Sequence, residues 1–412
     1  MNPHCAIIAA GPGDIRRLCC GTGVFGVDEG AAVALEAVDD QVTLLDGRPI
    51  GVDSLWRTAL GSLRCADCEG IVVVHPSWWP RSRVGVVSAA ARAVVDDPND
   101  VVAQPRSWLL ARAAPEPGVF VEISERMVVV SDGPGGRVVG IPRGPEPEPV
   151  IEEVAGIIAA MTGDVLIDGP GAVVGAQALA VCIAAAVRRS GACRAALPID
   201  DAGLVRLARA APRSPAGRSS MTNDRRGRSR TRDVLRFATI GVAFACAVPA
   251  FVAPRLVAPG HQHVATLQDT PGAFLVEGRV ALTVPANWST QRLVAGPGSA
   301  RVQVTSPADP EVALHITQSP VPGETLTGTA DRLKRAIDGE PAGVFVDFNP
   351  SGTTAGRPAV TYREVRAVHQ VRWTVLVDGS VRISLGCQSR PGDEEAVRAA
   401  CEQAVRSAHA VG

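Results

Sequence analysis

Lysine and tyrosine are almost missing from this 412-residue chain: Lys334 and Tyr362 are the single examples of each. Charge imbalance is missing too. The formal net charge is −1, so no global field draws the chain to nucleic acid, and none is expected as a partner. Cys65-x-x-Cys68 lacks the second spaced pair that a zinc site needs, although the adjacent Cys19 and Cys20 offer further thiols. The pair therefore reads as structural thiols, and no metal ligand is assigned. His261-x-His263 reads as part of a solvated linker, and His75 beside Pro76 has no nucleophile tied to it. No nucleophile, base and orienting group can be assembled, so no catalytic residue is expected and the chain reads as non-catalytic.

Long apolar runs are scarce, and one stands out. Residues 237–253 (FATIGVAFACAVPAFVA) carry no charge, and a dense basic stretch precedes them on one side only: Arg225, Arg226, Arg228, Arg230, Arg232 and Arg236. A segment of roughly 17–25 apolar residues can cross a bilayer, and flanking arginines stay on the cytoplasmic side and pair with anionic lipid. This pattern predicts a single-pass protein of the plasma (inner) membrane, with its N-terminus in the cytoplasm and its C-terminus outside. The expected parts are a cytoplasmic α/β domain (1–212), a basic juxtamembrane linker (213–236), a transmembrane helix (237–257), a second linker (258–277) and an external α+β domain (278–412). A buried core helix, or an internal signal sequence starting at Met221 that is cleaved, are the alternative readings.

Cysteine usage follows the same division. Seven cysteines precede the run and Cys246 lies in it, while only Cys387 and Cys401 follow. An isolated pair suits one disulfide in an oxidising compartment. Cys401 lies on the apolar face of a last helix with Val397, Ala404, Val405 and Ala408, and Cys387 lies beyond the last strand, which puts both thiols at one helix–sheet contact.

The first 210 residues alternate apolar strands with helical patterns, as an α/β domain does. Residues 70–75 (GIVVVH) form a near-continuous apolar strand followed by a helix with Val84, Val87, Ala91, Val94 and Val95 at helical spacing. Residues 119–123 and 127–131 read as a hairpin, and 164–168 (DVLID) run into Gly169-Pro170-Gly171. From 278 the chain is strand-rich: 279–284, 301–306, 312–318, 344–348, 358–365, 370–378 and 381–385 read as strands. Helices are expected around Leu326, Ala330, Leu333 and Ile337 and around 397–408, so the external part reads as an antiparallel sheet with two helices.

Residues 71–80 (IVVVHPSWWP), 102–113 (VAQPRSWLLARA) and 164–171 (DVLIDGPG) resemble passages of the actin-like ATPase fold shared by sugar kinases and heat-shock chaperone ATPases. The resemblance implies ATP as cofactor, with Asp14 as the acid after the first strand and Gly169 and Gly171 in the adenosine turn. The departures imply a degenerate relative that does not hydrolyse ATP. Pro12 removes a donor where phosphate needs one, and Glu122 and Glu125 stand where a glycine-rich phosphate turn belongs. Some other α/β domain is the alternative.

Four external segments are similar to the mycobacterial type VII secretion-associated protein family: 282–288 (LTVPANW), 299–319 (SARVQVTSPADPEVALHITQS), 355–366 (AGRPAVTYREVR) and 386–389 (GCQS), the last paired with a late cysteine. That family is encoded beside ESX secretion genes. The resemblance implies an accessory or assembly role with secretion components as partners, and it supplies no reaction. An actin-like ATPase coupled to secretion and an envelope ligand-binding module are the alternative functions.

Overall fold

The computed structural model describes residues 4–20, 29–65, 68–114, 117–133, 136–191, 195–211, 272–293 and 301–411. Two successive passages of the N-terminal half repeat one topology. The first runs β1 (His4–Ala10), β2 (Ile15–Arg17), α1 (Glu29–Glu36), the hairpin β3 (Val42–Leu45) and β4 (Arg48–Gly51), α2 (Val52–Ser62), β5 (Cys68–His75), α3 (Arg81–Arg92), β6 (Val101–Pro105) and α4 (Arg106–Leu110). Its sheet has the order β2-β1-β5-β6, with β2 antiparallel to β1, and β5 and β6 parallel to it. The second runs β7 (Pro117–Ile123), β8 (Met127–Ser131), β9 (Val138–Pro142), α5 (Pro147–Ala159), β10 (Asp164–Asp168), α6 (Ala176–Ser190), β11 (Ala196–Ile199) and α7 (Asp201–Ala210). Its order is β11-β10-β7-β8-β9, again an antiparallel start with two parallel strands added beside the first strand.

Each sheet buries both faces, which is why its central strands are unbroken apolar runs. Ile71 and Val73 of β5 turn toward α2 and α3 with Trp56, Leu60, Val87 and Ala91. Val72 and Val74 face the other way, toward Leu109, Leu110, Phe120, Leu166 and Leu204, so that α4 and α7 lie between the two sheets. Val121, Ile123, Val165 and Ile167 pack under α5 and α6 through Val154, Ile158, Ile183 and Val187.

The C-terminal half adds β12 (Gly272–Glu277), β13 (Val280–Pro285), β14 (Ser289–Leu293), β15 (Arg301–Thr305), β16 (Ala313–Pro320), α8 (Leu326–Asp338), β17 (Phe345–Thr354), β18 (Arg357–Val365), β19 (Gln370–Asp378), β20 (Val381–Ser389), α9 (Glu395–Ser407) and β21 (His409–Ala410). A seven-stranded sheet of order β14-β15-β16-β20-β19-β18-β17 is antiparallel throughout. Helix α9 covers one face through Val397, Cys401, Ala404 and Val405, and α8 packs on Val360 and Val375 through Ala330. Cys387 and Cys401 are joined in a disulfide with Cα atoms 5.9 Å apart.

A smaller sheet, β12-β13-β21, ties this half to the first. Phe274 of β12 lies so close to Gly140 of β9 that a Cβ there would meet its ring at 2.3 Å. Val276, Ala281 and Val411 share one buried cluster with Trp78, Trp79, Met127 and Val129. At this seam Arg83, only 3% exposed, donates to Asp39 at 2.7 Å and to the carbonyls of Gly278 at 2.8 Å and Val411 at 3.3 Å. Its guanidinium lies 5.5 Å from the Trp78 ring and 5.9 Å from that of Trp79. Arg126 reaches Asp378 at 2.8 Å, and Arg279 pairs with Asp40.

These contacts correct the expected architecture. An α/β domain and an external α+β domain on opposite faces of a bilayer cannot share a buried core. The described residues form a strand-dominated mixed α/β body with five sheets, two of which, the seven-stranded sheet and β12-β13-β21, belong to the C-terminal half with helices α8 and α9. Among the described residues no helix is long and apolar enough to cross a membrane, so the transmembrane, single-pass and plasma-membrane expectations lose their structural support. The expected span 237–257, and the flanking Arg225, Arg226, Arg228, Arg230, Arg232 and Arg236, lie outside the described residues, as do His261 and His263. Residues 272–277, expected to end a linker, form β12.

Candidate functional site

In open α/β sheets, ligands bind beyond the carboxyl ends of the parallel strands. Here those ends, from β5, β6 and β10, converge with the β1–β2 turn. The turn Gly11-Pro12-Gly13-Asp14 reverses tightly, with the Gly11 N–H bonded to the Asp14 carbonyl at 2.7 Å. Gly13 has φ +83°, and a Cβ on it would meet the Ala172 Cβ at 2.8 Å and Val173 at 3.0 Å. The first turn therefore presses directly on the turn that follows β10.

Side chains complete the closure. Arg106, at the start of α4 and about 1% exposed, lies between the two sheets. Its Nε and Nη2 donate to the two carboxylate oxygens of Asp168, the latter at 3.3 Å, and its Nη1 donates to the Gly11 carbonyl at 2.8 Å. One guanidinium thus bonds to both walls of the cleft. At its rim Arg16 donates to Asp201 at 2.5 Å and stands 3.6 Å from Asp14. Asp201 in turn accepts the Gly171 N–H at 3.1 Å. Burial would raise the Asp201 carboxyl, but the Arg16 bond and charge, with the Gly171 N–H, hold it below its ordinary value. Asp14 goes the other way: burial raises it more than Arg16 and Arg106 lower it.

Glu122, the penultimate residue of β7, is buried beside them. One carboxylate oxygen accepts the Ser77 N–H at 2.9 Å, and the other has no hydrogen-bond partner among the described residues. Burial pushes this carboxyl up to about 7, and the Asp168 charge adds to the rise against Ser77 and Arg106. Ser77 and Ser107 brace the site through hydroxyls 3.0 Å apart. His75, stacked on Trp79 at 6.3 Å, is held below the ordinary imidazole range by burial, and its Nδ1 meets the Pro76 carbonyl at 2.9 Å.

Four carboxylates (Asp14, Glu122, Asp168 and Asp201) and two guanidiniums (Arg16 and Arg106) thus meet where the actin-like reading places ATP and Mg²⁺. A site for Mg-nucleotide must offer carboxylate to the ion and N–H donors to the phosphates. Here Arg106 already occupies Asp168, Arg16 occupies Asp201, and the Gly171 N–H is committed to Asp201. The residues present do not fit the cofactor in this arrangement. Of the residues singled out in the sequence, the fold brings Asp14, Gly169 and Gly171 to one place, whereas Glu125 is exposed and Arg126 turns to Asp378. The sequence carries no signal for Arg16, Arg106, Asp168 or Asp201. Nothing local pairs Arg106 with Asp168, which lie 62 residues apart.

A second concavity, about 870 Å³, lies in the C-terminal half between β17–β19 and the start of α9. Several charged side chains line it and some of them pair: Arg363 with Asp347 at 2.6 Å, Arg398 with Glu395 at 2.5 Å, and Gln370 bridges Arg363 and Glu394. Among thiols, Cys19, Cys20 and Cys65 come together at one end of the first sheet.

No protein-family model matches the chain, and no curated protein does. Solved structures that align to about a third of it include the following three. Cyanobacterial PsbP (CyanoP) from Synechocystis sp. PCC 6803 is 13% identical with a TM-score of 0.27, covering 35% of this chain and 95% of that one. A protein from Bacteroides thetaiotaomicron VPI-5482 is 11% identical with a TM-score of 0.24, over 33% of this chain and 46% of that one. LpqN, involved in cell envelope biogenesis of Mycobacterium tuberculosis, is 13% identical with a TM-score of 0.24, over 35% and 88%. Scores of this size do not establish a shared fold.

Proposed function

We propose that this chain is a non-catalytic accessory or assembly protein of a type VII secretion apparatus, built on a degenerate actin-like ATPase body. The observation that carries the non-catalytic part is Arg106. Its guanidinium fills the centre of the cleft and bonds to both walls, where a working enzyme holds phosphate and metal. The repeated topology of the two N-terminal sheets supports descent from a two-lobed nucleotide-binding fold. The link to secretion rests on the resemblance of the segments at 282–288, 299–319, 355–366 and 386–389.

An accessory protein acts through its surfaces, and a rigid body serves that role. Arg83, Arg126 and Arg279 lock the two halves through Asp39, Asp378 and Asp40, so partners meet one fixed shape. The test is affinity isolation of the chain from cells that express the secretion apparatus at native levels. The reading expects secretion subunits to co-purify in stoichiometric amounts. Their absence after mild cross-linking would overturn the assignment to that apparatus.

A further inference from the structure

We propose that Cys19, Cys20 and Cys65 form a thiolate site for a borderline-soft divalent cation of the zinc class. The three thiols come from two separate turns. Cys19 and Cys20 follow β2, and Cys65 follows α2, 45 residues later than Cys20. Their sulfurs nevertheless converge, with Cys19–Cys20 at 3.7 Å, Cys19–Cys65 at 3.4 Å and Cys20–Cys65 at 3.1 Å. Zinc–sulfur bonds of about 2.3 Å at tetrahedral angles separate sulfurs by about 3.8 Å. The three edges seen here define a circle of radius about 2.0 Å, so an ion at bonding distance from all three stands slightly above their plane. That placement leaves a fourth position for solvent.

The surroundings fix this convergence. Arg17 donates from Nε to the Cys20 carbonyl at 3.2 Å, and from Nη1 to the carbonyls of Leu63 at 3.5 Å and Arg64 at 3.2 Å. One guanidinium therefore staples the two thiol-bearing turns together and places a positive charge beside groups that must be anionic to bind metal. Cys65 is buried and Cys19 and Cys20 are half-buried, so the donors are shielded but reachable. Three mutually close thiols, rather than one pair, favour a coordinated ion over a disulfide. A disulfide would use two of the three and leave the last without a role.

The test uses the untagged full-length chain, produced with zinc in the medium and purified with a non-thiol reductant. Elemental mass spectrometry reads its metal content. The EDTA-treated chain is then titrated with Co²⁺, and thiolate-to-cobalt charge transfer is followed in the near ultraviolet. The proposal expects about one zinc per chain, a cobalt spectrum of tetrahedral thiolate type, and at least a tenfold loss of bound metal in Cys20→Ser and Cys65→Ser. Cys182→Ser, an exposed thiol on α6, keeps the wild-type content. A metal-free wild type with no cobalt band overturns the proposal whatever the variants do. So does full metal content in Cys20→Ser and Cys65→Ser, or a Cys20–Cys65 disulfide found by peptide mapping in place of the ion.

Discussion

Arg106 and Asp168 face each other at the centre of the N-terminal half, each about 1% exposed, joined through both carboxylate oxygens. Removing one partner of a buried pair leaves an uncompensated charge, which costs about 3–5 kcal/mol. Arg106→Met is therefore expected to lower the urea midpoint sharply. Combining it with Asp168→Leu is expected to restore most of the loss, because an apolar pair of similar volume is tolerated at such sites. Equal destabilisation by the single and double variants would show that the pair does not carry the effect.

Glu122 gives the chain a pH signature. Its carboxyl is raised from 4.5 to about 7 by burial, so the folded state holds the proton more tightly than the unfolded state. The stabilisation is complete below the unfolded value and is lost as pH rises through about 7. The wild type is expected to lose on the order of 3 kcal/mol relative to Glu122→Gln between those limits. The check is the difference between their denaturation free energies at each pH, and a flat difference would contradict the assignment.

Buried histidines act in the opposite sense. His75, His315 and His409 are all held below the ordinary imidazole range, burial being the main cause in each. Their contribution is full above about 6.5 and falls as pH drops below it. His315→Gln is expected to soften acid unfolding of the C-terminal half, followed by Trp373 fluorescence, since the two rings lie 6.3 Å apart. An unchanged acid transition would contradict this.

Arg83 predicts how the halves hold together. Arg83→Met deprives Asp39 and the carbonyls of Gly278 and Val411 of their donor. Faster amide hydrogen exchange is expected in 274–281 and 409–411, with a stability loss of about 3 kcal/mol. Unchanged exchange there would mean that the apolar seam suffices alone.

The disulfide closes a short loop with a sequence separation of 14. The chain-entropy model values a loop of about 15 residues near 3 kcal/mol. Replacing Cys387 and Cys401 together by alanine is expected to cost about that much in urea unfolding, and a negligible change would contradict it.

The strands that read clearly from the sequence are those buried on both faces. The run Ile71-Val72-Val73-Val74 contrasts with everything around it, and β5 forms there. Edge strands are harder. β17 extends to Thr354 through Asn349, Pro350, Ser351 and Gly352, because one side of it meets solvent and needs no apolar pattern. β12 is hard to read for a related reason: it borders a long unpatterned stretch, and Phe274 finds its partners in the other half of the chain while Leu275 packs on the C-terminal core. The apolar run at 237–253 carried the compartment reading, yet local hydropathy holds no information about Arg83 reaching the Val411 carbonyl 328 residues away. The candidate site behaves likewise. Its turns are marked by glycine and proline, but the cations that fill it come from α4 and β2, whose arginines look like ordinary surface charge in one dimension.

The cleft at the carboxyl ends of β5, β6 and β10 is filled from within by Arg106, and isothermal titration calorimetry of the whole chain with Mg-ATP tests most directly the proposal that it takes no nucleotide. The account expects no binding heat up to millimolar nucleotide and no phosphate release. A saturable isotherm in the micromolar range, with turnover, would contradict it.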